Sequence, residues 1–486
     1  MLLKVKEMHW MAGRPIAILH KDTAEKLNIH VDDRVKIKKK QRETIAVIDL
    51  AEGLLGNDEI FLSQEVIDYL HLKKNDLVEV AFTFKPFSTN IIRKKLNFGV
   101  LNKDEIKMVI KDIVNNALTE AEIAFFVSAV YSCGMSIQET ISMTESIVET
   151  GKKLNFKGIV VDKHSIGGVP GNRTTPIVVS ICAAAGLKMP KTSSRAITSA
   201  AGTADTIETL ADVKFSIGEL QKIVQAAGAC LAWGGSLGLA PADDKIIQVE
   251  RLLHLDPEPQ LLASIMAKKI SVGATHVLID IPYGDGAKVD KKKAEDLKNK
   301  FEKIAKYFHI KLKCLLTDGS RPIGRGIGPV LEMREILSIL RQEEERSFDL
   351  EEKSLVLATE IFNLVGKKNS RKLAEKILRS GKALEKFKEI IILQKGNFSK
   401  SLVPGRFKSA IKAGKSGKVV YDCKKLNLLA RAAGCPADKS SGLYLHKEGN
   451  GKIEKGEVIM EIYAESQHRL KDALNFYNKN GGVSVV

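Results

Sequence analysis

Apolar residues follow different periods along this chain, and each change of period marks a change of architecture. From residue 1 to about 84, short runs rich in β-branched residues (PIAILH, DRVKIKK, TIAVIDL, LVEVAF) alternate with polar turns, which predicts short strands around a small core. Two stretches there share one plan. DTAEKLNIHVDDRVKI and SQEVIDYLHLKKNDLVEV each set a short amphipathic helix before a turn and a strand, so an internal duplication forming a small β-barrel is expected. Near Lys85, Pro86 and Phe87 the pattern changes. From about 92 to 155 apolar residues recur at helical spacing, as in Ile106, Val109, Ile110 and Ile113, or Ile123, Phe126, Val127 and Val130. From 158 to about 340, buried strands such as those in GIVVDKH and THVLIDIP alternate with helical segments, the pattern of a mainly parallel sheet. The charge run RQEEERSFDLEEK reads as an exposed helix end. After Pro404 and Gly405 the tail returns to short strands around Gly and Asn turns.

These periods predict an α/β plus all-α architecture, with an N-terminal β-rich barrel-like domain and a C-terminal α+β domain. The expected boundaries are 1–84 for the barrel and 88–156 for the helical domain, completed by about 241–273. The α/β domain is expected over 157–405 without that insertion, and the C-terminal domain over 406–486. A chain of 486 residues has ample apolar surface to bury across several such cores.

Composition narrows the function classes. Hydrophobic residues make up 44%, and no run approaches the roughly 20 apolar residues of a membrane span, so no membrane partner is expected. The opening MLLKVKEMHWMAGR carries charges every few residues and no apolar signal core, which argues against secretion. The six cysteines form no C-x-x-C pair, so neither a zinc site nor a disulfide framework is expected and a cytoplasmic location is the simplest. Cys182 and Cys230, placed in Ala-rich helices, read as small buried hydrophobes. The net charge of +17 brings an anionic ligand into view. Because the lysines recur along helix faces among Glu and Asp, as at Lys291 to Lys293, they read as solvated surface. No nucleic-acid partner is expected, and a basic nucleic-acid-binding protein stands as the rival from another class.

Two constellations carry chemistry. The first runs from Lys163 through His164, Ser165, Gly167, Gly168, Gly171 and Arg173 to Thr174 and Pro176, between a strand and a helix start capped by Thr174. A glycine loop there exposes backbone N–H groups to an oxyanion, Lys163 adds charge, and Ser165 and Thr174 add hydroxyls. The second runs from Ser193 through Ser194, Arg195, Ala196, Ile197, Thr198, Ser199 and Thr203 to Asp205, before a helix expected near Thr206. Its hydroxyls can bond phosphate, ribose or base edges. Arg195 either pairs with a phosphate or forms an internal ion pair, and Asp205 with Glu208 fits a capping box.

Together these residues resemble the thymidine and pyrimidine-nucleoside phosphorylase family. Lys163-His164-Ser165 with its glycines is joined by Ser194-Arg195, Ala201-Gly202-Thr203-Ala204-Asp205 and Glu208. Further matches are Leu239 to Asp243, Ala263 to Lys269, Tyr283 to Ala287 and Gly328 to Glu332, so the likeness spans roughly 90 to 480. Departures are Ala201 in place of a glycine, Ile166 and Pro170-Gly171-Asn172-Arg173 in the first loop, and Val249 where the nucleoside enzymes carry an arginine. With the N-terminal extension, they resemble the nucleoside-monophosphate phosphorylase branch found in archaea.

That resemblance implies the reaction of AMP with phosphate to give adenine and ribose 1,5-bisphosphate, possible also for CMP and UMP; a pyrimidine-nucleoside phosphorylase is the nearest rival. It implies nucleotide contacts from Gly168, Ser194, Arg195, Ala196, Ile197, Thr198, Ser199, Thr203, Ser264 and Lys288, and Asp256 as proton donor. By analogy with the nucleoside enzymes, Lys163, Ser165, Thr174, Ser193 and Thr203 would hold the incoming phosphate. Lys288, after the Gly284 to Ala287 turn, either reaches a ligand at the sheet edge or opens a solvated lysine run. Asp256, in Leu255-Asp256-Pro257, either caps a helix or acts as acid. A carboxyl group in water is ionised at neutral pH, so the acid role needs desolvation or a nearby anion. His164 either contacts substrate or orients backbone. No metal and no cofactor are expected, since orthophosphate is the co-substrate; small molecules are the expected partners, with a homodimer or larger homo-oligomer. Closure of two domains over the substrates is a further expectation, because Asp256 and Ser264 fall on the segment assigned to the helical part.

Overall fold

The computed structural model describes residues 1–6, 10–196 and 199–486. The chain divides into two compact units, one formed by residues 1–151 with 240–264, the other by 152–239 with 265–486.

The first unit opens with a closed six-stranded barrel. Strands Leu2–Lys6, Ile16–His20, Arg34–Lys39, Arg42–Ala51, Glu59–Leu62 and Leu77–Thr83 close in the order first, fifth, second, fourth, third, sixth. Alternation of buried and outward residues fills it with Leu3, Val5, Leu19, Val35, Ile37, Ile48, Ile60 and Val78. Sequence patterning missed Leu2–Lys6 and Glu59–Leu62, which are short and interrupted by charge. The duplication shows in the details. Helices Lys21–Leu27 and Gln64–Leu70 both end on a left-handed residue, Asn28 and His71, at φ 53° and 51°. Both are followed by an aspartate that accepts from the backbone three residues earlier, Asp33 from His30 and Asp76 from Lys73. The strands after these turns pair antiparallel, Ile37 opposite Val80.

Helices Ser88–Leu96, Lys103–Val114, Glu120–Cys133 and Ile137–Thr150 follow, and Pro241–Leu253 belongs to the same unit. Three of them start with reciprocal capping boxes, Asn102 with Glu105, Thr119 with Glu122 and Ser136 with Glu139, each satisfying two N–H groups that a helix start leaves orphaned. Buried Arg34 of the barrel bonds Glu122 and donates to Ala117 O at 3.0 Å, tying barrel to helices.

The second unit holds a parallel sheet. Lys311–Asp318, His276–Tyr283 and Val161–Ser165 pair in that order, Met189–Ser193 pairs with Ala229–Trp233, and a parallel bridge from Val160 to Lys188 joins the two sets. Because every pairing is parallel, all five strand C-termini open on one edge. Cys230 lies in a strand rather than a helix: Gly228, at φ 79°, ends the preceding helix Ile217–Ala227 and the chain turns into the sheet. Cys182 is in the helix Thr174–Ala184 as expected, and both thiols are buried. The C-terminal segment adds strands Phe407–Lys412, Gly442–Leu445 and Val458–Ala464 with helices Cys423–Ala433 and Gln467–Asn480, and its sheet takes Gly326–Ile327 as an edge strand. Among the described residues no helix is long and apolar enough to cross a membrane.

Candidate active site

Side chains alternate across the strand Val161–Ser165, so Asp162 and His164 face one way and Lys163 and Ser165 the other. Asp162 is fully buried. Its Oδ1 accepts from Lys191 Nζ at 3.3 Å and its Oδ2 from Lys269 Nζ at 2.6 Å. Burial pushes this carboxyl up, but the two ammonium groups outweigh it and hold it below the usual carboxylate range. Burial, aided by Lys269, Lys191, Lys268 and Lys163, pushes His164 well below its ordinary value. The imidazole is therefore neutral at physiological pH and offers hydrogen bonds rather than charge.

On the opposite face, Lys163 Nζ donates to Thr174 Oγ1 at 2.8 Å and Thr175 Oγ1 at 3.3 Å. Burial pulls its pKa down to about 8, with Asp280 opposing that shift. Asp280 accepts from Thr317 Oγ1 at 2.6 Å and pairs with Lys353 at 3.2 Å. Thr174 does not cap its helix as expected: Arg173 holds the cap position, and the Thr174 hydroxyl is occupied by Lys163. Gly168 has φ +95°, and a Cβ there would stand 3.2 Å from both N and Cβ of Lys288. Only glycine lets this loop approach the Lys288 backbone so closely.

The second loop is built by Asp205. Its helix begins at Thr203, three residues before the expected start, which makes Asp205 the third helical residue rather than the cap. From there Oδ2 accepts from Gly202 N and Ala196 N, both at 2.8 Å, and Oδ1 from Arg195 Nη1 at 2.9 Å. Arg195 is an internal ion pair: its Nη1 and Nη2 each lie 2.7 Å from a Glu208 oxygen, and the guanidinium sits 5.0 Å from the Trp233 ring. The reading of its guanidinium as a phosphate clamp is corrected accordingly, since two carboxylates already occupy it. A Cβ on Gly202 would meet Ser194 O at 2.4 Å, whereas buried Ala201 fits, which explains why only one of the paired glycines is needed.

Ser193 Oγ donates to Ala232 O at 3.3 Å, Ser194 is exposed, and Ser199 Oγ donates to Ala201 O at 2.6 Å. Ile197 and Thr198 lie outside the described residues. Arg173 joins the two loops, donating from Nη1 to Thr203 Oγ1 at 3.2 Å and from Nη2 to Ala201 O at 2.8 Å. Lys163, Ser165, Gly168, Thr174, Ser193, Thr203 and Lys288 thus all belong to the second unit, on the strands and loops of one sheet edge. Ser264 and Asp256 belong to the first unit. There Ser264 Oγ donates to buried Asp243 at 2.9 Å, which also accepts from Gln260 at 3.1 Å, while Asp256 is exposed. Among the described residues no group of three or more His, Cys, Asp or Glu side chains could hold a metal ion.

Residues 89–151 match the helical bundle domain of the glycosyl transferase family, 157–384 its a/b domain, and 420–484 the pyrimidine nucleoside phosphorylase C-terminal domain. Anthranilate phosphoribosyltransferase from Thermus thermophilus shares this fold at a TM-score of 0.53 and 16% identity, over 63% of this chain and 99% of that one. The class is therefore that of the glycosyl transferase family. AMP phosphorylase 1 of Archaeoglobus fulgidus is 40% identical over 100% of this chain and 97% of its own length, and AMP phosphorylase of Methanocaldococcus jannaschii is 43% identical over 91% and 89%. The chain belongs to the AMP phosphorylase family.

Sequence reading overlooked Asp162, Lys191, Lys269, Asp280, Lys353 and the role of Glu332. A usable signal existed for one of them: Asp280 is a single acid amid the apolar run of its strand, where a charge persists only if paired. Lys353 lay hidden at the end of a charge run assigned to an exposed helix end.

Proposed function

We propose that this chain is a pentosyltransferase that cleaves the N-glycosidic bond of a nucleoside 5′-monophosphate with orthophosphate. AMP and phosphate give adenine and ribose 1,5-bisphosphate, with CMP and UMP as further candidate substrates. The observation that carries the reading is the buried cation Lys163, hydrogen-bonded to hydroxyls at a helix start beside a glycine loop that touches Lys288. Such a cradle suits an oxyanion, through full charge, oriented hydroxyls and helix N–H groups together.

In the proposed reaction a phosphate oxygen forms the new bond to C1′ while the C1′–N bond breaks and its electron pair leaves with the base. Phosphate is held by Lys163, Ser165, Thr174, Ser193 and Thr203; the nucleotide by Gly168, residues 194–199 (Arg195 acting by shaping the loop), Thr203, Ser264 and Lys288. Asp256 supplies the proton that adenine takes up. Asp256 is exposed, and in the proposed complex the bound substrates enclose it when it acts as an acid. The reading includes a cytoplasmic homodimer or larger homo-oligomer that needs no cofactor beyond orthophosphate as co-substrate.

Incubating protein, AMP and phosphate should yield adenine and a sugar bisphosphate, with Asp256→Asn and Lys288→Ala strongly impaired. Turnover of uridine or thymidine without turnover of AMP, CMP or UMP would sink the nucleotide reading in favour of a nucleoside phosphorylase.

A further inference from the structure

The guanidinium of Arg173 is the hub of a buried network. Nε and Nη2 pair with Glu332 at 2.7 and 3.0 Å, Nη2 also holds Ala201 O, and Nη1 donates to Thr203 Oγ1. Glu332 is in turn fixed by Thr206 Oγ1 at 2.7 Å. The loop bearing Arg173 has little freedom: a Cβ on Gly171 would stand 2.3 Å from Ile323 O, and Ile323 N donates to Pro170 O at 3.1 Å.

A guanidinium only donates, whereas a hydroxyl has one proton and two lone pairs. Once Thr203 Oγ1 accepts from Arg173, its own proton must point elsewhere, and among the described residues no acceptor takes it. Thr174 is in the same condition, because its oxygen accepts from Lys163. Lys163 from the strand and Arg173 from the helix cap therefore leave two threonine hydroxyls free to act as donors.

Resting on the proposed phosphorolysis, we propose that Arg173 is a positioning residue that fixes the Thr203 hydroxyl as a hydrogen-bond donor to the incoming orthophosphate. Arg173 does not touch the phosphate itself. It acts through Thr203, and the measurable consequence is affinity for orthophosphate more than for the nucleotide.

The test is a double-mutant cycle on the full chain, with AMP and orthophosphate varied separately. Arg173→Lys keeps the charge against Glu332 but cannot also span Thr203 and Ala201. It and Thr203→Val should each raise KM for phosphate about tenfold or more, and since Thr203 is also assigned to the nucleotide, any rise in KM for AMP should be the smaller of the two, as expected for losing one charge-oriented hydrogen bond. The double variant should be no worse than Thr203→Val alone. Losses that multiply in the double variant, or a rise in KM for AMP that exceeds the rise for phosphate, overturn the proposal. If Arg173→Lys does not fold, Glu332→Gln replaces it in the cycle, and coupling or independence with Thr203→Val is read in the same way. Absence of wild-type AMP phosphorolysis would instead overturn the function, so the two failures are distinguishable.

Discussion

The two faces of the strand Val161–Ser165 handle buried lysine in opposite ways. On the Asp162 face, Lys191 and Lys269 both reach the carboxylate, so each ammonium has a carboxylate oxygen as a direct partner. On the Lys163 face, the ammonium donates to two threonine hydroxyls, while the carboxylate that opposes it, Asp280, already holds Lys353 and Thr317. The first arrangement is complete without a ligand. In the second, Lys163 has hydroxyls rather than a carboxylate as its hydrogen-bond partners, which suits it to an incoming oxyanion. Buried lysines on the two faces of one strand thus divide into scaffold and site by their partners, not by their burial.

The sharpest way to break this contrast is Asp162→Asn, which strands Lys191 and Lys269 without a countercharge. Urea unfolding should show a loss of about 3–5 kcal/mol. A nearly unchanged midpoint would mean that the two faces do not differ. Lys163→Met should behave in reverse, lowering kcat/KM for phosphate by roughly 100-fold or more while leaving the unfolding midpoint unchanged or higher. A matching loss of stability in this variant would assign Lys163 to the scaffold.

The pH dependence sharpens the same point. Lys163 loses its proton as pH rises through about 8, so KM for phosphate should climb on the order of tenfold between neutral pH and one unit above that value. The sign for stability is opposite. Its folded value lies below its ordinary one, so between the two the unfolded chain binds more protons and the Lys163 contribution to stability rises with pH. Asp162, held below its ordinary value, contributes stability at neutral pH that is lost as pH falls through its folded value. A phosphate KM that stays flat across the alkaline range would contradict the role of Lys163. The smallest effect is expected at Thr175, whose bond to Lys163 is the longer: Thr175→Val should change phosphate KM about threefold or less, against about tenfold for Thr174→Val. Steady-state kinetics on the two variants would check the order.

Much of the first loop was legible because glycine, lysine and hydroxyl residues at a strand-to-helix junction carry their chemistry locally. The second loop was less so. Arg195 and Arg173 look alike in sequence, each an arginine beside small residues, yet one is held by Asp205 and Glu208 within its own segment and the other by Glu332, 159 residues away. The helix start misplaced by three residues has a similar cause, since Asp205 serves backbone N–H groups on both sides of the loop.

By itself the sequence determined the order of architectures: barrel strands, helices, parallel sheet and a mixed tail. The reason is that burial must repeat with the period of the element that carries it. It also determined which side chains stand at the sheet edge, because loops after parallel strands share one end. Only the tertiary structure decided barrel closure through the short strands Leu2–Lys6 and Glu59–Leu62, and which buried cations are already paired. Those outcomes depend on partners distant along the chain, and no local pattern records where a distant carboxylate will come to rest.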